Sequence, residues 1–210
     1  MSGVTILTTP HIKPHPLPVK DYAKRDAKGD TVLMLDLFAG KGGASQAMRE
    51  AGWDVITVEL NPDFNPDIVA DVSQYHYEGP TPDLIWASPP CTEFSKASLP
   101  KSWACNRTPP NPDVSLMLHA KRIIDEVNPK WWVIENVRGA VPYFTPYLGE
   151  YQKKCGSRYL WGNFPIFDPE PGYGKWRLPP TADRAAIRSL IPSQISRGLC
   201  LAISQNEVRE

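Results

Sequence analysis

The sequence predicts one α/β domain in which a single, mostly parallel sheet carries helices on both faces. Short apolar runs rich in Val, Ile, Leu and Trp have the near-continuous hydrophobic character of strands that are buried on both sides. Helical patterns at 44–51 and 115–127 lie between these runs, as the crossover connections of a parallel sheet require. The chain of 210 residues is long enough for one such domain and too short for two large ones. The predicted strands are Val32–Phe38, Trp53–Val58, Ile68–Val72, Asp83–Ala87 and Trp131–Ile134.

The first 29 residues differ in composition from the rest of the chain. Four prolines between positions 10 and 18 interrupt regular structure, and the stretch 20–28 carries mixed charge. His11 and His15 could bind a metal there, but a solvated arm is the favoured interpretation. We therefore expect an N-terminal arm over 1–29 and a single domain over 30–210.

Charge and cysteine usage limit the classes of partner. The chain has 23 Lys and Arg residues and 23 Asp and Glu residues, so a nucleic-acid site must be a local basic patch. The four cysteines are widely spaced and form no zinc-type pattern, so we expect no metal site. No apolar run has membrane-spanning length, and no membrane partner is expected. Free thiols fit a reducing compartment, which predicts a cytoplasmic location.

A glycine-rich loop and two strand-end acids predict a nucleoside cofactor. Gly40, Gly42 and Gly43 follow the first strand, and glycines let backbone N–H groups approach a ligand closely. Glu59 ends the second strand, where an acid typically binds a ribose hydroxyl. Asp71 ends the third strand, where it can accept a hydrogen bond from an adenine amino group. The pattern fits NAD, FAD or S-adenosylmethionine alike, and a purely structural turn remains an alternative.

The turn Ser88-Pro89-Pro90-Cys91 follows the strand at 83–87. Two prolines fix its backbone, so the Cys91 thiol is held at the carboxyl end of a strand, where open α/β sheets bind ligands. The alternative is a proline-rich turn with an incidental buried cysteine. Glu135 follows the next strand, and sequential strands often lie side by side. We therefore expect Glu135 close to Cys91, with a solvated strand-end acid as the alternative.

Two irregular regions are expected to face a substrate. The loop at 94–113 contains Trp103 and Arg107 and is predicted to close over the site as a lid. Within 142–182, aromatic and basic side chains interleave, which fits a nucleic-acid surface or, equally, an irregular packed β region. Edge strands at 159–167 and helices at 182–190 and 193–204 complete the prediction. The basic residues are Lys153, Lys154, Arg158, Lys175 and Arg177.

From about Leu33 to the C-terminus, these motifs resemble the DNA (cytosine-5) methyltransferases in order and spacing. Asp36-Leu37-Phe38-Ala39-Gly40-Lys41-Gly42-Gly43 is similar to the first cofactor motif of that family. Pro90-Cys91 resembles its catalytic pair, and Glu135-Asn136-Val137 matches its Glu-Asn-Val motif. The resemblance implies a Rossmann-like class I S-adenosylmethionine-dependent methyltransferase fold. It also implies a small orphan or phage-type enzyme of the restriction-modification kind, in a bacterium or a phage-infected host.

The resemblance implies methyl transfer from S-adenosyl-L-methionine, with S-adenosyl-L-homocysteine as product, to C5 of a flipped cytosine in double-stranded DNA. Cys91 is implied to add to C6 and Glu135 to face N3, with Pro90 and Asn136 completing the catalytic group. The implied cofactor-binding residues are Asp36, Phe38, Ala39, Gly40, Gly42, Gly43, Glu59, Leu60, Asp71, Val72 and Pro89. The implied substrate-binding residues are Ser88, Ser95, Val137, Gln152, Lys154 and Arg158.

The sequence departs from the family pattern in its second half. The family's Gln-x-Arg-x-Arg motif appears only as Gln152-Lys153-Lys154, with Arg158 beyond it, and no late Arg-Leu-Gln motif is recognisable. The stretch 163–183, where a target-recognition region would lie, is very short. The stretch 191–195 loosely replaces the last motif, whose helix packs beside the first strand. Two alternatives therefore stay open: an RNA cytosine-5 methyltransferase, and a catalytically weak cofactor- and DNA-binding subunit that needs a partner protein for specificity.

Overall fold

The computed structural model describes residues 32–95, 112–173 and 190–207. Short 3-10 turns occur at Pro62–Phe64 and Arg138–Ala140. The N-terminal arm, most of the expected lid, the expected helix at 182–190 apart from its last residue, Lys175 and Arg177 lie outside the described residues. The elements in chain order are β1 (Leu33–Leu37), α1 (Ser45–Glu50), β2 (Asp54–Glu59), β3 (Ile68–Val69), β4 (Leu84–Ala87), α2 (Ser115–Val127), β5 (Trp131–Val137), α3 (Val141–Leu148), β6 (Lys153–Cys155), β7 (Arg158–Asn163) and α4 (Ser193–Glu207).

The strands form a seven-stranded sheet in the order β3-β2-β1-β4-β5-β7-β6. Strands β1 to β5 pair in parallel, whereas β7 is antiparallel to both β5 and β6. The predicted mostly parallel sheet is therefore confirmed. Leu37 pairs with Ala87, and Ala87 pairs with Ile134. This register brings the ends of β1, β4 and β5 to one edge of the sheet.

Helices cover both faces of the sheet because side chains alternate along each buried strand. On one face, the odd-numbered residues of β1 pack with α2 and α3, represented by Ile124 and Phe144. On the other face, Met34 packs with Met48 of α1 and with Leu199 of α4. The last helix thus packs beside the first strand, as the sequence predicted. Two apolar layers around one sheet give the Rossmann-like arrangement that the sequence predicted.

Several element boundaries differ from the prediction. Strand β3 ends at Val69, so Asp71 lies beyond it, whereas β5 continues to Val137 because Val137 still pairs with Arg158 of β7. Helix α3 was not predicted, since the region after 142 was interpreted as irregular. Pro142 lies in the first turn of α3, where proline is tolerated. The helix residue Phe144 is fully buried against the sheet.

Candidate active site

The cysteine turn, which follows β4, is held to β1 and β5 by a backbone and an amide hydrogen bond. The Ser88 N–H donates to the Leu37 carbonyl at 3.2 Å. The buried Asn136 side chain donates through Nδ2 to the Pro89 carbonyl at 3.0 Å, while its Oδ1 accepts from the Val137 N–H at 2.8 Å. Asn136 therefore orients the turn rather than facing solvent. Pro89 is buried and Pro90 exposed, which brings Cys91 to the protein surface with partial exposure.

The chain after Cys91 folds back onto the 3-10 turn that follows β5. The Phe94 N–H donates to the Cys91 carbonyl at 3.0 Å, and the Phe94 ring meets Phe144 edge-on, with centroids 5.2 Å apart. A Cβ at Gly139 would lie 2.0 Å from the Phe94 carbonyl oxygen. Glycine at 139 therefore permits this close approach, a role that sequence reasoning missed although Gly139 directly follows the Glu-Asn-Val-Arg stretch. Ser95 continues the turn and is half-buried.

Glu135 lies inside β5 and is paired with an arginine. Its carboxylate is 3.1 Å from Nη1 of Arg158, and both side chains are almost fully buried. Burial raises the pKa of Glu135, while the Arg158 charge and a hydrogen bond from Ser88 oppose that rise. Ser88 in turn accepts a hydrogen bond from Trp86 Nε1 at 2.8 Å. The acid is thus buried, oriented and biased towards its protonated form.

Arg158 is placed differently from the expected basic surface. The sequence groups it with Lys153 and Lys154 as a candidate phosphate contact, but Arg158 is buried, and its Nη2 also donates to the Leu190 carbonyl at 3.2 Å. As the first residue of β7, it lies opposite Val137 at the end of β5, so its side chain reaches Glu135. We therefore correct this expectation: Arg158 belongs to the carboxylate site and not to an exposed phosphate-binding face.

The Cys91 thiol lies within the electrostatic reach of this pair. Burial raises the pKa of Cys91, the Glu135 carboxylate raises it further, and Arg158 lowers it. At neutral pH the thiol of the substrate-free protein is therefore predominantly protonated. A change of charge on Glu135 alters the thiolate fraction directly.

The glycine loop and the end of β2 are joined by a carboxylate. Glu59 Oε2 accepts from the Gly40 N–H at 3.0 Å, and Oε1 accepts from the Asn61 N–H at 3.1 Å. Phe38 and Gly40 have φ values of 59° and 51°, so the chain turns sharply directly after β1. A Cβ at Gly40 would meet no atom within 4 Å, and Leu60 is 62% exposed beside Glu59. An acid, an apolar surface and open space above the loop suit the sugar and ring of a nucleoside.

Within the glycine loop, the Gly42 N–H donates a hydrogen bond to the Ala39 carbonyl at 2.8 Å. Asp36 is 1% exposed, burial raises its pKa to about 7, and its Oδ2 makes no hydrogen bond within the described part of the chain. A Cβ at Gly43 would lie 2.7 Å from the Ile191 backbone nitrogen, so this glycine permits packing rather than ligand contact.

The hairpin of β6 and β7 does not form one basic face. Lys153 Nζ pairs with Asp168 at 2.9 Å, whereas Lys154 lies over the Tyr159 ring, 5.7 Å from its centroid. The Gln152 side chain donates to the Phe164 carbonyl. The expected cluster is therefore split between a surface ion pair, an aromatic contact and a structural hydrogen bond.

Over the described residues, no group of three or more His, Cys, Asp or Glu side chains has the arrangement of a metal site. The helices described in the structure include none that is long and apolar enough to cross a membrane.

Residues 32–143, more than half of the chain, match the family model of C-5 cytosine-specific DNA methylases. The chain is 29% identical over 165 residues to the probable DNA (cytosine-5)-methyltransferase of Frog virus 3, covering 70% of this chain and 77% of the viral protein. It is 28% identical over 123 residues to the type II methyltransferase M.HindV of Haemophilus influenzae, covering 49% of this chain and 36% of the bacterial enzyme.

Among solved structures, the chain overlaps a putative DNA modification methyltransferase encoded within an E. coli prophage. The two are 23% identical, with a TM-score of 0.44, and the overlap covers 62% of this chain and 46% of that one. The chain thus spans less than half of this solved relative and about a third of the Haemophilus enzyme.

Proposed function

We propose that this chain, which belongs to the C-5 cytosine-specific DNA methylase family, transfers a methyl group from S-adenosylmethionine to C5 of cytosine in DNA. The observation that carries the proposal is the meeting of Cys91 with the buried Glu135–Arg158 pair at the carboxyl edge of β4 and β5. The glycine loop with Glu59 lies at the same edge, after β1 and β2. This reaction needs a thiol nucleophile, an acid and a loop that binds the nucleoside of the cofactor. Residues 30–210 are proposed to act as one cytoplasmic domain, with 1–29 as an arm.

The residues around the glycine loop would hold S-adenosylmethionine. Glu59 is placed to accept from the ribose hydroxyls and Leu60 to pack on the adenine ring. Asp71 and Val72 follow β3, which pairs with β2, and are proposed to contact the adenine edge. When bound, the cofactor supplies a methyl group on a positively charged sulfur.

Cys91 supplies the nucleophile. The Cys91 thiol loses its proton to solvent, and the resulting thiolate forms a bond to C6 of cytosine. The electrons of the C5–C6 double bond then make C5 nucleophilic. After C5 has taken the methyl group, a water molecule accepts the C5 proton and the electrons of that C–H bond restore the double bond. The proton on N3 returns to the Glu135 carboxylate. The bond between Sγ and C6 breaks in the same step, which returns Cys91 as a thiolate.

Glu135 controls the negative charge that develops on the ring. Burial favours its protonated form, so the acid can donate to N3 when Cys91 attacks. The carboxylate left behind is stabilised by Arg158 at 3.1 Å and by the Ser88 hydroxyl. The same arginine therefore both orients the acid and compensates its charge after proton transfer.

The target base must leave the duplex before Cys91 can reach C6. Base flipping costs roughly a few kcal/mol, which contacts around the extruded base must offset. Val137 follows Glu135 and Asn136 in β5, and Ser95 lies in the half-buried chain after Cys91; both are proposed to contact that base. Lys154, exposed on the neighbouring hairpin, is proposed to contact the DNA backbone. A partner protein that adds sequence specificity is proposed because few residues separate Gly162 from Arg184.

Covalent trapping tests the proposed reaction. Duplex DNA carrying 5-fluorocytosine is expected to form a denaturation-resistant complex that requires S-adenosylmethionine, because fluorine cannot leave C5 as a proton does. Cys91→Ser should abolish the complex, since a serine hydroxyl is scarcely ionised. Cys155→Ser and Cys200→Ser are matched controls that should keep it. Trapping that persists in Cys91→Ser, or occurs on 5-fluorocytosine RNA and not on DNA, would contradict the proposal.

A further inference from the structure

Arg122 of α2 binds the backbone of the segment that follows β3. Its Nη2 donates to the Tyr75 carbonyl at 2.7 Å and to the Val72 carbonyl at 3.3 Å. Its Nη1 donates to both carboxylate oxygens of Glu126 at 2.9 Å and lies 3.1 Å from His76 Nδ1. One planar guanidinium thus ties two carbonyls of the segment to an acid one helical turn further along α2.

The backbone of the segment pairs with the sheet over a short length, while Tyr75 and Tyr77 pack against the core. Strand β3 has only two residues, and the Ala70 N–H still donates to the Glu59 carbonyl at 3.1 Å. Asp71 then closes a local turn, in which its Oδ1 accepts from the Ser73 N–H at 2.9 Å. This turn is rigid within itself, but its internal hydrogen bonds do not set its distance from β2. The Val72 side chain, buried in the core, and the Arg122 guanidinium link it to α2.

We propose that Arg122 is a positioning residue for the cofactor. It holds Asp71 and Val72 at the separation from Glu59 that the adenosine part of S-adenosylmethionine spans. The inference rests on the proposed function, because it takes this edge of the sheet as the cofactor site. Arginine is required since a lysine ammonium lacks the planar fork that meets two carbonyls and a carboxylate together.

Calorimetric titration with S-adenosyl-L-homocysteine tests the role of Arg122. We expect Arg122→Ala to bind about tenfold more weakly, which corresponds to about 1.4 kcal/mol. The affinity of Arg122→Lys should fall between those of wild type and Arg122→Ala, because lysine keeps the aliphatic stem and one donor group. At saturating S-adenosylmethionine, the rate of trapping on 5-fluorocytosine DNA should stay within about twofold of wild type, because Arg122 does not touch the reacting atoms.

Lys121→Ala is the matched control. Lys121 is the preceding residue of α2 and makes its own ion pair four residues along the helix, to Asp125. Its loss should leave cofactor affinity unchanged. Equal affinities for wild type and both Arg122 variants, or an equal loss in Lys121→Ala, would overturn the inference. If Arg122→Ala does not fold, Arg122→Lys decides the same question.

A double-mutant cycle with Asp71→Ala separates positioning from a general loss of stability. If Arg122 acts through Asp71, the Arg122→Ala change should weaken binding much less when Asp71 is already absent. Fully additive losses would overturn the inference. If the wild-type protein binds no cofactor, both the proposed function and the inference about Arg122 fail. If wild type binds and traps DNA but the Arg122 variants bind equally well, only the role of Arg122 fails.

Discussion

At the scale of single residues, the proposed nucleophile Cys91 and the proposed acid Glu135 lie in surroundings that disfavour their charged forms. Burial raises the pKa of both Cys91 and Glu135, and the Glu135 carboxylate raises the pKa of Cys91 further. Proton positions in the substrate-free protein are therefore coupled. A change at Glu135 should be measurable at Cys91 without any substrate.

The first prediction is that Glu135→Gln makes the Cys91 thiol more reactive. Removing the carboxylate removes a negative charge that raises the thiol pKa and leaves the lowering effect of Arg158. Alkylation of Cys91 by iodoacetamide, followed by mass spectrometry across pH 6–10, should show a pH midpoint shifted downwards. Glu93→Gln, an exposed neighbouring acid, is the control and should not move it. An unchanged midpoint in Glu135→Gln would contradict this electrostatic coupling.

The second prediction concerns Asp36, whose pKa is raised to about 7 by burial. Because the folded-state pKa lies above the unfolded value of 3.8, its contribution to stability is complete below about pH 4 and is lost as pH rises to about 7. About three pH units correspond to roughly 4 kcal/mol as an upper bound. The stability difference between wild type and Asp36→Asn should change in that window in urea unfolding. A difference that is constant from pH 4 to 8 would contradict it.

At the scale of elements, the antiparallel pairing of β5 with β7 builds the acid site. The extension of β5 through Glu135 and Asn136 depends on hydrogen bonds with β7, and the same register brings Arg158 to the carboxylate. Glu135 is therefore an interior strand residue, which explains why it is buried and not solvated. In the proposed reaction, the hairpin supplies one buried cation to the acid and does not form a basic surface.

The third prediction is that Arg158→Leu destabilises the protein, by about 3–5 kcal/mol at alkaline pH, because it leaves a buried carboxylate unpaired. Loss of the arginine raises the pKa of Glu135 further, so the cost grows as pH rises through that pKa and is small in acid. Urea unfolding at several pH values measures it. Adding Glu135→Gln should recover part of the loss. The control Arg49→Leu breaks a more exposed pair with Asp67 and should cost less. A loss independent of pH would contradict the explanation.

At the scale of the whole molecule, the ends of β1, β2, β4 and β5 meet at one edge of a sheet whose faces are both covered by helices. A ligand that bridges the β1 loop and the tip of β2 therefore contacts the centre of the domain. Ligand binding at that edge should raise the stability of the entire fold by mass action.

The fourth prediction is that S-adenosylmethionine at a hundredfold excess over its Kd stabilises the folded protein by about 2.7 kcal/mol. For a domain of this size, the gain corresponds to a rise in Tm of about 5–11 °C. Glu59→Ala should reduce the cofactor affinity by about 1–3 kcal/mol, since hydrogen-bonded groups lose their partner. The control Asp54→Ala removes an exposed acid at the opposite end of β2 and should keep the full shift. Equal shifts in all three proteins would contradict the assignment of Glu59.

The sequence alone was sufficient for features that depend on local order. Near-continuous apolar runs identified β1, β2, β4 and β5, because a strand buried on both faces carries apolar residues at successive positions and not at every second one. The apolar stripe of Met117, Ala120 and Ile124, followed by Asn128-Pro129, predicted α2 over the residues it occupies. Proline chemistry likewise predicted that Cys91 follows a rigid turn at a strand end. These features depend on short-range sterics and burial, which a linear pattern records.

Only the tertiary structure decided which distant residues meet. Arg158 was indistinguishable in sequence from Lys153 and Lys154, and its burial against Glu135 depends on the β5–β7 register. Helix α3 forms through aromatic packing of Phe144 on Phe94 and Trp161, although two prolines lie within it. The contact of Arg122 with the segment after β3 joins residues that are 47 and 50 positions apart. Such contacts depend on how the layers close on one another, because a charged side chain has the same local pattern whether it faces water or a buried partner.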